Sequence, residues 1–106
     1  MAENKYSDAE SVFQKALNIS RSNPKIYAGL GDLYFSSKRY NEALTQFERA
    51  IELSISESEY RIKKAKTYSA MGQLNKSENS YQQAIEVDPE NGTIFYELGM
   101  LYKELG

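Results

Sequence analysis

The chain repeats itself at an interval of 34 residues. Shifted by that interval, Tyr34, Tyr68 and Tyr102 coincide, as do Phe13, Phe47 and Tyr81, then Ala16, Ala50 and Ala84, then Leu17, Ile51 and Ile85. Aromatic, small and aliphatic side chains recurring together at one offset cannot be coincidence. An interval of this size marks an array of one supersecondary unit, in which each copy buries its apolar face only against its neighbours. At 106 residues there is room for about three such units and a core that runs as a stripe.

Within each unit the local pattern is helical. Phe13, Ala16 and Leu17, and likewise Phe47, Ala50 and Ile51, fall at i, i+3 and i+4, the stripe of an amphipathic helix. No alternating strand pattern occurs. Capping chemistry suggests the boundaries: Ser7, Asn41 and Asn75 read as N-caps, with Glu10 and Glu78 completing capping boxes. Asn23 before Pro24, Ser56 with Glu59, and Asp88 before Pro89 read as starts of the intervening helices, while Gly72 and Gly106 read as stops. Six helices are predicted, over 7–20, 24–37, 41–54, 57–71, 75–87 and 90–105. The short loops between them make neighbouring helices antiparallel.

The order of residue types is specific. Tyr27, Leu30, Gly31, Tyr34, Ala43, Phe47 and Ala50 follow one another as W-x2-L-G-x2-Y and A-x3-F do in a known repeat. Ala65, Tyr68, Gly72, Ser77, Tyr81, Ala84 and Pro89 follow the same order, and Phe95, Leu98, Gly99 and Tyr102 begin it again. On these residues the chain resembles the tetratricopeptide repeat family, from Lys5 onward. The resemblance implies an all-α solenoid of antiparallel helix pairs wound as a right-handed superhelix. The small residues Gly31, Ala65 and Gly99 would let paired helices approach, with the tyrosines filling the space beside them. Arg61 and Lys64 depart from the pattern, where a large aromatic and a leucine are wanted, so the helix over 57–71 is expected to be the least tightly packed.

The phase of the repeat matters too. Residues 1–106 are expected to make a single array that opens on an unpaired second helix (7–20), continues through full repeats at about 24–54 and 57–87, and closes on an unpaired first helix (90–105). Repeat arrays ordinarily end in polar caps. Here Tyr6 and Phe13 at one end, and Phe95, Leu98, Leu101, Tyr102 and Leu105 at the other, would lack a partner on one side. Gly106 of one chain would be followed in register by Lys5 and Tyr6 of the next. Head-to-tail self-assembly through the terminal helices is therefore one expected use, in a homo-oligomer.

The resemblance implies another use, a concave groove lined by the first helix of each pair that holds a partner peptide or protein. By that correspondence Lys25, Ala28, Asp32 and Phe35 line it first, then Ile62, Lys63 and Lys66, then Tyr96, Glu97, Met100 and Lys103. Some relatives clamp a C-terminal carboxylate with lysines and asparagines; the matching positions here are Ala28, Asp32, Lys63, Thr93 and Glu97. Asp32 and Glu97 would repel such a group, so no carboxylate clamp is expected. Arg61, Lys63, Lys64 and Lys66 form a basic cluster in a helix that opens with Glu57 and Glu59, an order the helix dipole favours.

Composition closes off other functions. A net charge of −2 offers no field for nucleic acid, and the chain has neither histidine nor cysteine, which removes thiolate nucleophiles, disulfides and the usual transition-metal ligands. Gly29 and Gly31 lie inside a helix with no strand before them, unlike a phosphate-binding loop. Neither enzymatic activity nor a cofactor is expected. No apolar run approaches the roughly 20 residues that cross a bilayer, and Met1 to Ser7 is polar rather than a signal peptide. The expected setting is cytoplasmic, with no membrane or nucleic-acid partner.

Overall fold

The computed structural model describes residues 2–106, with side chains from residue 5 onward. Six helices follow one another: α1 (Ala2–Ile19), α2 (Pro24–Ser36), α3 (Tyr40–Leu53), α4 (Ser58–Ala70), α5 (Leu74–Val87) and α6 (Gly92–Leu105). No strand occurs among the described residues. The all-α expectation holds, and five of the six helices fall within two residues of their predicted bounds. The exception is α1, which starts well before Ser7. Of the N-terminal segment read as polar, Met1 lies outside the described residues.

The chain divides into two compact units, residues 1–54 and 55–106. In the first, α2 and α3 pack closely and α1 lies against α2. Its core gathers Leu30, Tyr34, Ala43 and Phe47, with Phe13, Leu17, Leu33 and Phe35 packed around them. A Cβ added at Gly31 would lie 2.5 Å from Phe47 Cε1, so the absence of a side chain there is what lets α3 seat its aromatic ring on α2. Gly29 does the same for Phe13, whose Cε1 would lie 2.7 Å from such a Cβ. In the second unit α4 pairs with α5, and α5 in turn carries α6. Ile62, Ala65, Tyr81, Ala84, Ile94, Leu98 and Leu101 make its core.

The caps obey the 34-residue interval, though at other positions than predicted. Asn23 caps α2 by accepting from the Lys25 N–H at 3.0 Å, as expected. The equivalents are Glu57, accepting from the Glu59 N–H, and Asn91, accepting from the Thr93 N–H; Ser56 and Asp88 are not the caps. Pro89 therefore lies in the connecting turn and not in the first turn of α6. Ser7 sits inside α1, and α3 and α5 start after Arg39 and Gln73, neither of which makes a side-chain cap bond. The capping boxes at Ser7 and Asn75 do not form. Asn41 is likewise inside its helix.

What replaces those caps is the end of the preceding helix. Lys38 and Gly72 take left-handed backbone angles, φ 62° and 78°. Beyond them the Arg39 N–H donates to Tyr34 O at 2.8 Å and the Gln73 N–H to Tyr68 O at 2.9 Å, closing the six-to-one bond of a Schellman turn. The chain thus leaves one helix and enters the next with no residue to spare for a side-chain cap.

Two further expectations fail on packing. Helix α4 is not the loosest: Ser58, Tyr60, Ile62, Ala65 and Thr67 are all buried on it, whereas α1 has no fully buried side chain among those described. Its polar residues survive burial because they are bonded, Thr67 Oγ1 donating to Lys63 O at 2.8 Å and Ser58 Oγ to Asp88 at 3.2 Å. Gly99, predicted to ease a helix contact, instead faces open space, with nothing within 4 Å of an added Cβ.

Candidate functional site

Helix α4 and helix α6 together border a cleft of about 160 Å³ lined by Lys66, Ser69, Tyr81, Glu97, Met100, Leu101 and Glu104. The elements aim these residues by simple periodicity. Lys66 and Ser69 are one turn apart on α4, and Glu97, Met100, Leu101 and Glu104 follow i, i+3, i+4, i+7 on α6. Across the cleft Lys66 Nζ lies 3.5 Å from Glu97 Oε1. Tyr81 contributes from α5, and burial, followed by the nearby charges of Glu97 and Glu104, pushes its hydroxyl up to about 12. It is a neutral donor throughout the physiological range.

On the same face of α6, one turn before Met100, Tyr96 exposes 65% of its surface, and Met100 exposes 40%. The cleft is thus a mixed surface, an ion pair and one further carboxylate, Glu104, beside an apolar strip. Ser69, Tyr81, Leu101 and Glu104 are members that the groove correspondence missed. Ser69 and Glu104 stand three and four residues beyond Lys66 and Met100, and could have been found by extending each face by a turn.

The other predicted groove residues fare differently. Ile62 is buried in the core of the second unit. Lys63 is half-buried, with Nζ 3.9 Å from Glu59 Oε2. The basic cluster is engaged internally, since Arg61 donates to Ile55 O at 2.7 Å and Lys64 also has an interaction partner. Lys25 and Asp32 are exposed on α2 of the first unit, where Ala28 is buried and Phe35 meets Tyr40 edge-on at 5.5 Å. Lys103 is exposed on α6.

A larger cleft, 400 Å³, lies between α2 and α3 and is lined by Tyr27, Thr45, Gln46, Glu48, Arg49 and Glu52. Arg49 is committed there to Glu52 at 3.1 Å and sits 5.8 Å from the centre of the Tyr27 ring. Apart from Tyr27 that lining is polar, with no exposed apolar strip like that of Tyr96 and Met100, so size alone does not make it the better candidate. Among the described residues no group of three or more acidic side chains is placed to hold a metal ion. No described helix is long and apolar enough to cross a membrane.

The assembly residues also divide. Leu98 and Leu101, expected to lack a partner on one side, are buried among residues of α4 and α5 on the face of α6 that its own unit uses. Phe13 is half-buried, while Tyr6, Tyr102 and Leu105 are exposed. Glu10 and Glu78, expected to close capping boxes, instead accept from tyrosines of the following helix: the Tyr34 hydroxyl donates to Glu10 at 2.7 Å and that of Tyr102 to Glu78. Position 44, where the interval would put a third carboxylate, is Leu44.

Among solved structures, the chain is similar to the first TPR of Spaghetti (RPAP3) bound to the HSP90 peptide SRMEEVD, with 21% identity and a TM-score of 0.82 over 98% of this chain and 82% of that one. It is also similar to the Yersinia enterocolitica type III secretion chaperone SycD in complex with a peptide of the translocator YopD, at 19% identity and TM-score 0.84, covering 99% and 86%. A mutant O-GlcNAc transferase from Thermobaculum terrenum matches at 25% identity and TM-score 0.78 over 87% of this chain, which corresponds to only 18% of that one. No curated protein matches the chain. A family model described as tetratricopeptide repeat matches residues 1–67, and one described as TPR repeat matches residues 65–106. The chain belongs to the tetratricopeptide repeat family.

Proposed function

We propose that this chain is a protein-interaction module that holds an extended or helical segment of a partner against α4 and α6. The observation that carries this reading is the pair Tyr96 and Met100, large apolar side chains left exposed beside the Lys66–Glu97 ion pair. A tyrosine supplies contact area at little entropic cost and a methionine adapts to varied shapes, which suits recognition of a peptide. Two of the similar structures, those of RPAP3 and SycD, hold peptides, which supports a binding role over a catalytic one.

The charges suggest which segment fits. Lys66 is already satisfied by Glu97, and Glu104 adds a second carboxylate to the lining. A terminal carboxylate would meet repulsion there, so the segment is an internal one, with an apolar residue over Met100 and Tyr96 and a basic residue toward Glu97 and Glu104. Screening a peptide array with the wild type, Tyr96→Ala and Lys66→Ala tests this. Tyr96→Ala should weaken bound peptides about tenfold or more, the loss of an aromatic anchor. Lys66→Ala should alter which peptides bind by freeing Glu97. Peptide binding indifferent to both changes would place the site elsewhere.

A further inference from the structure

Two uncovered stripes in this chain are counterparts of two that are packed together within it. In the first unit, α2 presents Tyr27, Gly31 and Tyr34, and α3 sets Ala43 and Phe47 against that helix, with Ala50 buried in the same stripe. The result is a dry contact: Ala43, Phe47 and Ala50 are at most 1% exposed and Tyr34 is 5% exposed.

The interval of 34 carries both stripes to other places. Adding it twice to the α2 stripe gives Phe95, Gly99 and Tyr102 on α6; subtracting it once from the α3 stripe gives Ala9, Phe13 and Ala16 on α1. Neither copy is covered as its counterpart is. Phe95 is 50% exposed and Tyr102 44%, Gly99 has open space where Gly31 has Phe47, and Ala9, Phe13 and Ala16 are only half-buried. Tyr102 is even held ready, its hydroxyl tied to Glu78 as that of Tyr34 is to Glu10.

We infer that the α6 stripe of one molecule receives the α1 stripe of a second copy of this chain, with Phe13 brought onto Gly99 as Phe47 is brought onto Gly31. The occupant is a second copy because the chain itself supplies the matching surface at the matching register. Phe13 can serve both contacts, since Gly29 of its own unit takes one edge of the ring and the side chain is only partly buried. The contact is heterologous. Every molecule offers one stripe of each kind, so association continues past the dimer, into rings or open fibres.

Gly99→Arg gives a clean test, because a side chain there meets nothing in the isolated molecule but fills the seat. Sedimentation equilibrium from micromolar to millimolar concentration should show a ladder of oligomers for the wild type and only monomer for Gly99→Arg, with unchanged helical circular dichroism. Ala9→Arg blocks the other stripe. A mixture of the two variants should form dimers and nothing larger, since the first retains its α1 stripe and the second its α6 stripe. A wild type that stays monomeric throughout overturns the inference and leaves the stripe for a helix of another protein. So does a Gly99→Arg chain that associates like the wild type. Peptide binding at Tyr96 and Met100 should persist in Gly99→Arg, which separates this result from the fate of the proposed binding site.

Discussion

Lys38 occupies a place that the interval gives to glycine elsewhere. Positions 38, 72 and 106 are equivalent, and the last two are Gly72 and Gly106. All the same, Lys38 adopts φ 62°, because the six-to-one bond from Arg39 to Tyr34 requires a left-handed residue between them. A side chain there crowds the backbone, at a cost of about 1 kcal/mol relative to glycine. Lys38→Gly should therefore raise the melting temperature by several degrees, and Gly72→Ala should lower it by a similar amount; thermal denaturation followed by circular dichroism reads both. Opposite shifts at two equivalent sites are hard to explain any other way. In the sequence Gly72 is legible as a stop signal and Lys38 is not, since lysine carries no mark of the left-handed region.

At the scale of elements, the joints between helices are made by polar clasps as well as by the core. Glu10 of α1 accepts from Tyr34 of α2 and also pairs with Arg39 at 3.1 Å, and Arg39 in turn grips Glu42 of α3 at 2.6 Å while lying 4.4 Å over the Tyr34 ring. One guanidinium thus ties three helices of the first unit. Chiefly the Tyr34 hydroxyl, and after it Arg39, hold the Glu10 carboxyl below the usual carboxylate range. A carboxylate with a lowered folded pKa contributes stability that is complete above its ordinary value and is lost as pH falls through the lowered one. Stability should accordingly decline on acidification below the ordinary carboxylate range. Glu10→Gln, which still accepts from Tyr34, should flatten part of that decline in urea titrations run at a series of pH values. Acid limbs of equal slope in the two proteins would mean that the clasp contributes nothing. The sequence did single out Glu10 and Glu78, but as helix caps, because local spacing could not reveal a tyrosine 24 residues away.

For the molecule as a whole, burial is uneven. Helix α1 has no fully buried side chain among those described, while α2, α3, α4 and α5 each bury several. Amide hydrogen exchange in dilute solution should show α1 opening first and the helices of the two core clusters last. Protection of α1 equal to that of α3 would contradict this ordering. From residues alone came the fold class, the six helices and the close approach of paired helices at Gly31, since all of these repeat and a repeated residue type reports a repeated environment. Met100 and Tyr96 were also legible, as apolar residues off the core pattern. Only the tertiary structure decided which candidates were spent in packing: it took Ile62, Leu98 and Leu101 into the core, matched Lys66 with Glu97 and left Gly99 bare. Periodicity specifies what a residue is suited to touch; whether a neighbour stands there depends on which helices pack against it, and that is a property of contacts in space.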